Sequence, residues 1–125
     1  MNRMIPPRET LEIEFKSDQN KLPDSDLIDA VVAFANTNGG DLYLGVEDNG
    51  DVTGLHPSHR DITQLAAFIA NKTIPPVSVR VEMIDTEKPV IMIHVPQHCG
   101  FFRWEDSAPP HQGGRHAGKR AYVSL

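Results

Sequence analysis

The sequence predicts an α+β domain, a two-layer sandwich with two helices on one face of a mixed sheet, in the order β-α-β-(β)-α-β-β-β. Three observations predict it. Short segments with strand period or strand composition are interleaved with two longer segments whose apolar residues recur every 3.6 positions. A Gly-Gly pair separates the first helical pattern from a hydrophobic strand. The chain has 125 residues, 39% of them hydrophobic, enough for one core and one domain.

The elements follow in order. Residues 1–8 form an arm with two arginines and two prolines, and residues 9–125 form the domain. Leu11-Glu12-Ile13-Glu14-Phe15-Lys16 alternates apolar and charged residues, so Leu11, Ile13 and Phe15 are expected to face the core, with Glu12, Glu14 and Lys16 opposite. The first helix is capped by Asp24 or Ser25, carries Leu27, Ile28, Val31, Val32, Phe34 and Ala35, and stops at Asn38-Gly39-Gly40. Asp41 to Glu47 is a central strand, and Gly45 within it marks a bulge or a close backbone approach. Asp48-Asn49-Gly50-Asp51 is a tight turn, and Val52-Thr53-Gly54 is a short return strand. Pro57-Ser58 opens a second helix with Ile62, Leu65, Ala66 and Ile69, which ends by Pro75-Pro76. Strands follow at 77–83 and 90–95, then a long loop over 97–118 and a last strand at 120–125.

Composition narrows the function classes. No apolar run approaches the roughly 20 residues of a membrane span, and the N-terminus lacks the apolar core of a signal peptide. The one cysteine, Cys99, cannot form an internal disulfide, so a cytoplasmic domain away from membranes is expected. Charge is segregated. Between Glu9 and Asp61 there are twelve acids and three bases, whereas Cys99 to Leu125 holds Glu105 and Asp106 against Arg103, Arg115, Lys119 and Arg120. A nucleic-acid binder needs a basic footprint, and only the C-terminal segment offers one.

Four constellations could carry chemistry. Glu9, Glu14 and Asp48, with Glu12 nearby, could bring carboxylates to strand ends, where oxygen ligands suit Mg²⁺ or Mn²⁺. Exposed strand carboxylates paired with Lys16 or Arg60 would explain the same residues. Gly39, Gly40 and Gly45 are not a phosphate loop, because they follow a helix and no Gly-Lys-Ser/Thr is present. His94, His98 and Cys99 invite a zinc reading but lack a further ligand pair, and Cys99 has no evident base beside it. Phe101, Phe102, Arg103 and Trp104 with Arg115, Lys119, Arg120 and Tyr122 interleave aromatic and basic residues, a pattern able to stack bases and meet phosphates.

With these residues in view, the chain resembles the Schlafen AlbA-type domain, also called AlbA-2 or divergent AAA-4. Glu9-Thr10-Leu11-Glu12-Ile13-Glu14-Phe15-Lys16, Ala33-Phe34-Ala35-Asn36-Thr37-Asn38-Gly39-Gly40, Leu44-Gly45-Val46-Glu47-Asp48-Asn49-Gly50 and Val52-Thr53-Gly54 carry the resemblance over most of the chain. It implies an Alba-like fold and, as in bacterial relatives, a DNA-binding domain at the front of a transcriptional regulator. Arg103, Arg115, Lys119, Arg120 and Tyr122 would then meet DNA or RNA, with Arg3 and Arg8 of the arm assisting. The older ATP label of the family has no Walker motif here to support it. The vertebrate Schlafens, which are metal-dependent endoribonucleases, imply an alternative site: Glu9, Glu14 and Asp48 as metal ligands, with Lys16 as the motif lysine. A non-catalytic oligomerisation or sensor module is a second alternative. Two departures stand out. The family's closing Tyr-x-Arg reads Tyr122-Val123-Ser124-Leu125 here, which suggests a domain followed by another beyond Leu125 or a minimal member. The vertebrate enzymes also use two lobes, so one lobe is expected to work as a homodimer.

Overall fold

The computed structural model describes residues 5–97 in full and the strands at 101–104 and 121–124 by their backbone. The chain runs β1 (Ile13–Lys16), α1 (Asp24–Ala35), β2 (Gly40–Leu44), a 3₁₀ turn (Pro57–His59), α2 (Ile62–Asn71), β3 (Thr73–Ile74), β4 (Arg80–Ile84), β5 (Val90–Val95), β6 (Phe101–Trp104) and β7 (Ala121–Ser124). The predicted α+β class stands.

The main sheet is mixed, in the order β1-β2-β5-β4. β1 and β2 are parallel through α1, while β2-β5 and β5-β4 are antiparallel. A second sheet, β3-β7-β6, corrects the single sheet expected from the sequence. Its strand β6 lies inside the segment expected to be a loop over 97–118. The run Phe101-Phe102 has strand composition, but the glycines and prolines after it dominate the local pattern.

Both faces of the main sheet are buried. Leu42 and Leu44 of β2 and Ile91, Ile93 and Val95 of β5 pack against Leu27, Ile28, Val31 and Ala35 of α1 and Leu65 and Ile69 of α2. On the far face Phe15, Tyr43, Val46, Ile84, Val90 and Met92 form a second cluster with Ile5, Ile13 and Val52 against it. The rings of Phe15 and Tyr43 meet edge to face, with centroids 6.1 Å apart. Double burial explains why β2 reads as a continuous apolar run.

Several boundaries move for local reasons. β1 begins at Ile13, because Thr10 and Ile13 pair across a tight turn whose tip is Leu11, 96% exposed instead of in the core. Pro23 holds the N-cap position of α1 without a side-chain bond, so neither Asp24 nor Ser25 caps it. Asp61 caps α2 by accepting from the Gln64 amide, and Pro57-Ser58 forms only the preceding 3₁₀ turn. The turn after β2 closes through Gly50 N–H to Glu47 O and Glu47 N–H to Asp51 O, with Gly50 in the left-handed region and Asn49 outside it. The return strand at 52–54 shrinks to one bridge, Val46 to Val52. β4 starts at Arg80, three residues later than the pattern at 77–83 suggests. Gly45, at φ +103°, answers the close-approach reading: an added Cβ would lie 3.0 Å from the backbone of Gly54. No helix among the described residues is long and apolar enough to cross a membrane.

Candidate functional site

β1 is an edge strand, and its register fixes where the acidic residues go. Glu14 and Lys16 sit opposite Leu42 and Leu44, so they share the helix side of the sheet. There they line a groove against α1 with Asp26, Asp29 and Ala30. Lys16 Nζ lies 3.1 Å from Glu14 Oε2, and both side chains are about one-third exposed. Partial burial opposes the charge on Lys16. The hydrogen bond to Glu14 and the charges of Glu14, Asp26 and Asp48 outweigh it and hold the ammonium's pKa above the ordinary lysine value. Glu14 thus pairs with a cation belonging to the protein, and the charges of Asp26 and Asp48 favour it.

Glu9 is placed differently. Strand pairing directs the amide of Phe15 away from β2, and Glu9 Oε2 accepts from it at 2.9 Å. The carboxylate therefore caps the open edge of β1 and does not face Lys16 across the groove. Among the described residues no three His, Cys, Asp or Glu side chains are disposed to hold one metal ion. Glu9, Glu14 and Asp48 are chemically suitable oxygen donors for Mg²⁺ or Mn²⁺, but the structure does not gather them as a set. Lys16 already supplies the positive charge beside Glu14.

Asp48 is exposed at the turn after β2, and its neighbour Glu47 has a structural task that the sequence did not signal. Glu47 accepts from the hydroxyl of Thr53 and also from Ser17 and Gln19, tying the loop after β1 to the turn after β2. These bonds, the one from Thr53 foremost, outweigh partial desolvation and hold the Glu47 pKa below the ordinary glutamate value. A carboxylate whose folded pKa is depressed stabilises the fold above its unfolded pKa, about 4.3. That contribution is lost as pH falls through the lower folded value. Urea midpoints of wild type and Glu47→Gln should therefore converge in acid and separate above about pH 5. A constant gap across that range would sink this assignment.

The zinc reading finds no support in the described part. His94 Nδ1 lies 2.7 Å from Asp41 Oδ1, a cross-strand partner on the face opposite the helices. His98 and Cys99 lie outside the described residues. Of the basic-aromatic set, Arg103 and Tyr122 are placed by their backbone as direct partners between β6 and β7. Arg115, Lys119, Arg120 and the arm residue Arg3 are outside the described residues.

A family model described as Schlafen, AlbA_2 matches residues 9–102. The chain belongs to the Schlafen AlbA_2 family. Among solved structures it is similar to the solution NMR structure of the N-terminal domain of an ATP-dependent DNA helicase RecG-related protein from Nitrosomonas europaea. That likeness has 23% identity and a TM-score of 0.49, covering 91% of this chain and 76% of that one. The AlbA_2 match takes in β1 with Glu9, Glu14 and Lys16, the Gly39-Gly40 junction and the Asp48 turn.

One arrangement in this AlbA_2 domain has no precursor in its sequence pattern. Asp18 is fully buried and holds His59 across 41 positions of chain, with Oδ2 2.8 Å from Nδ1. Asp18 sits in a stretch whose polarity reads as loop, and no periodicity links it to His59. The one available hint is the residue pair itself, an acid and a histidine each beside an element boundary.

Proposed function

We propose that this domain binds nucleic acid, principally DNA, as one domain of a transcriptional regulator. Arg103, Arg115, Lys119, Arg120 and Tyr122 would make the contacts, with Arg3 and Arg8 of the arm. Residues 9–125 would be the binding unit, working as a homodimer and followed by a further domain. The observation that carries this reading is the segregation of charge. The groove beside α1 sets Glu14, Asp26 and Asp29 against one lysine, Lys16, so its net charge is negative and repels phosphate. Phosphate contacts must then fall to the C-terminal bases. The β6-β7 register supports it, since it brings a basic and an aromatic position, Arg103 and Tyr122, side by side.

The test is binding of single- and double-stranded DNA and RNA by fluorescence anisotropy across a salt series. Four phosphate contacts per protomer give a log-log slope of about −3.6 per protomer on duplex DNA, and Arg103→Ala should reduce it by about one per protomer. No binding at low salt, or a salt-independent affinity, overturns the proposal.

A second reading, a metal-dependent endoribonuclease using Glu9, Glu14, Asp48 and Lys16, is favoured by one observation: Glu14 and Lys16 share one face of β1, 3.1 Å apart. The position of Glu9 speaks against it. Incubating structured RNA with Mn²⁺ and wild type, Glu14→Ala or Asp48→Ala separates the two readings. On the binding proposal no cleavage exceeds the metal-only control. Cleavage abolished by both substitutions would establish the second reading instead.

A further inference from the structure

Among the described residues β4 pairs with β5 on one side and with no strand on the other. The edge at β1 is already occupied by Glu9 and Thr10. Ile84 O accepts from the Thr86 amide at 3.0 Å, so the stretch of β4 open to a further strand ends at Met83.

The side chains along that stretch alternate. Arg80 and Glu82 stand opposite His94 and Met92, on the face away from the helices. Val79 and Val81 pack toward the helical core. Met83 stands opposite Ile91 and so belongs to the helix side too, yet it is 40% exposed. Charges on an edge strand discourage pairing where like signs would meet. Arg80 and Glu82 are opposite in sign and two positions apart, with Nε 2.9 Å from Oε2, and the Arg80 side chain is 59% exposed. Two antiparallel copies of one strand are related by a two-fold axis. An axis at Arg80 or at Glu82 sets like charges face to face. An axis at Val81 sets Arg80 against Glu82 of the second copy, and Val79 against its Met83, each twice over.

We infer that β4 is the surface through which two copies of this chain pair, antiparallel, on an axis through Val81. Main-chain bonds along the edge supply the attraction, and the crossed Arg80–Glu82 contacts fix the register. Val79 of one copy covers Met83 of the other. The inference rests on the homodimer of the reading above, for which it supplies the interface, and not on nucleic-acid binding.

Sedimentation equilibrium of the full chain is the test. For an interface of one short strand pair, a dissociation constant on the order of 10–100 µM is expected. Glu82→Arg sets arginine against arginine, and Arg80→Glu sets glutamate against glutamate. Each variant alone should dimerise at least about tenfold more weakly, at a Tm near that of wild type. Mixed in equal amounts the two are complementary again, and the mixture should recover the wild-type dimer. A merely structural role of the Arg80–Glu82 bond cannot produce that recovery. Met83→Lys, on the other face of the strand, should weaken the dimer by itself. A wild type still monomeric at about 1 mM, which would leave the edge to a strand of a different protein, overturns the inference. So do dimers unchanged in all three variants, or no recovery on mixing. A dimer with these properties that binds no nucleic acid upholds it and sinks the binding reading alone.

Discussion

Asp18→Ala will lower the stability of the domain by about 3–5 kcal/mol, the cost of leaving several buried donors without an acceptor at about 1–3 kcal/mol each. The substitution leaves three donors without an acceptor: the amides of Leu22 and His56 and the Nδ1–H of His59. Asp18 is fully buried and His59 nearly so, so water cannot replace the carboxylate without the loops parting. For a chain of this length the loss corresponds to a fall in Tm of roughly 15 °C. Asp18→Asn preserves volume but places an amide N–H₂ among donors, and should recover less than half of the loss. Urea unfolding followed by circular dichroism measures both. A change below about 1 kcal/mol for Asp18→Ala would mean that the pair is not the tie between loops described here.

The second large effect is at the double glycine. Gly39 sits at φ +78°, where an L side chain is strained, and an added Cβ would lie 2.6 Å from Val95 O and 2.9 Å from Gln97 N. Both atoms are backbone at the end of β5, so no side-chain rotation relieves the overlap. Left-handed strain of about 1–2 kcal/mol plus overpacking of about 1–3 gives roughly 2–5 kcal/mol for Gly39→Ala. Gly50→Ala is the control. It shares the positive φ, at +94°, but would meet only Pro7 O, at 3.2 Å. It should cost about 1–2 kcal/mol. Equal losses at the two positions would show that the approach of β5 to the helix stop is unimportant. The Gly-Gly of the family motif therefore serves as more than a helix stop: Gly39 lets β5 pass close by. At Gly40 an added Cβ would meet the Phe34 ring at 2.5 Å and Glu12 O at 2.8 Å.

How far the sequence could be read follows from these cases. β5 was legible to the residue, because Val90-Ile91-Met92-Ile93-His94-Val95 is a strand whichever way it is paired. Leu11 was misread because alternation cannot see a turn, and Thr10 pairs back to Ile13 through their own backbone groups. Glu14 and Lys16 were assigned correctly to one face. That this face lies toward α1 follows only from the register of β1 on β2. The family resemblance implied Glu9 and Glu14 as a pair, whereas the open strand edge claims Glu9 through the amide of Phe15. The Asp18–His59 pair is a product of tertiary contact and had no local signature.

The treatment of that strand edge bears on assembly. The outward N–H and C=O of Ile13 are taken by Thr10, and the outward N–H of Phe15 by Glu9, so β1 folds its edge back on itself. A strand from another molecule finds little to pair with there, which guards the sheet against runaway edge-to-edge growth. Among the described residues the opposite edge of the main sheet, β4, is met from its own flank at its end, where Ile84 O accepts from the Thr86 amide, and Arg80 and Glu82 hold each other at 2.9 Å. Among the described residues, a main sheet continued from one copy of this domain into another would be joined across β4, beside Arg80 and Glu82, leaving both β1 edges at the outer ends.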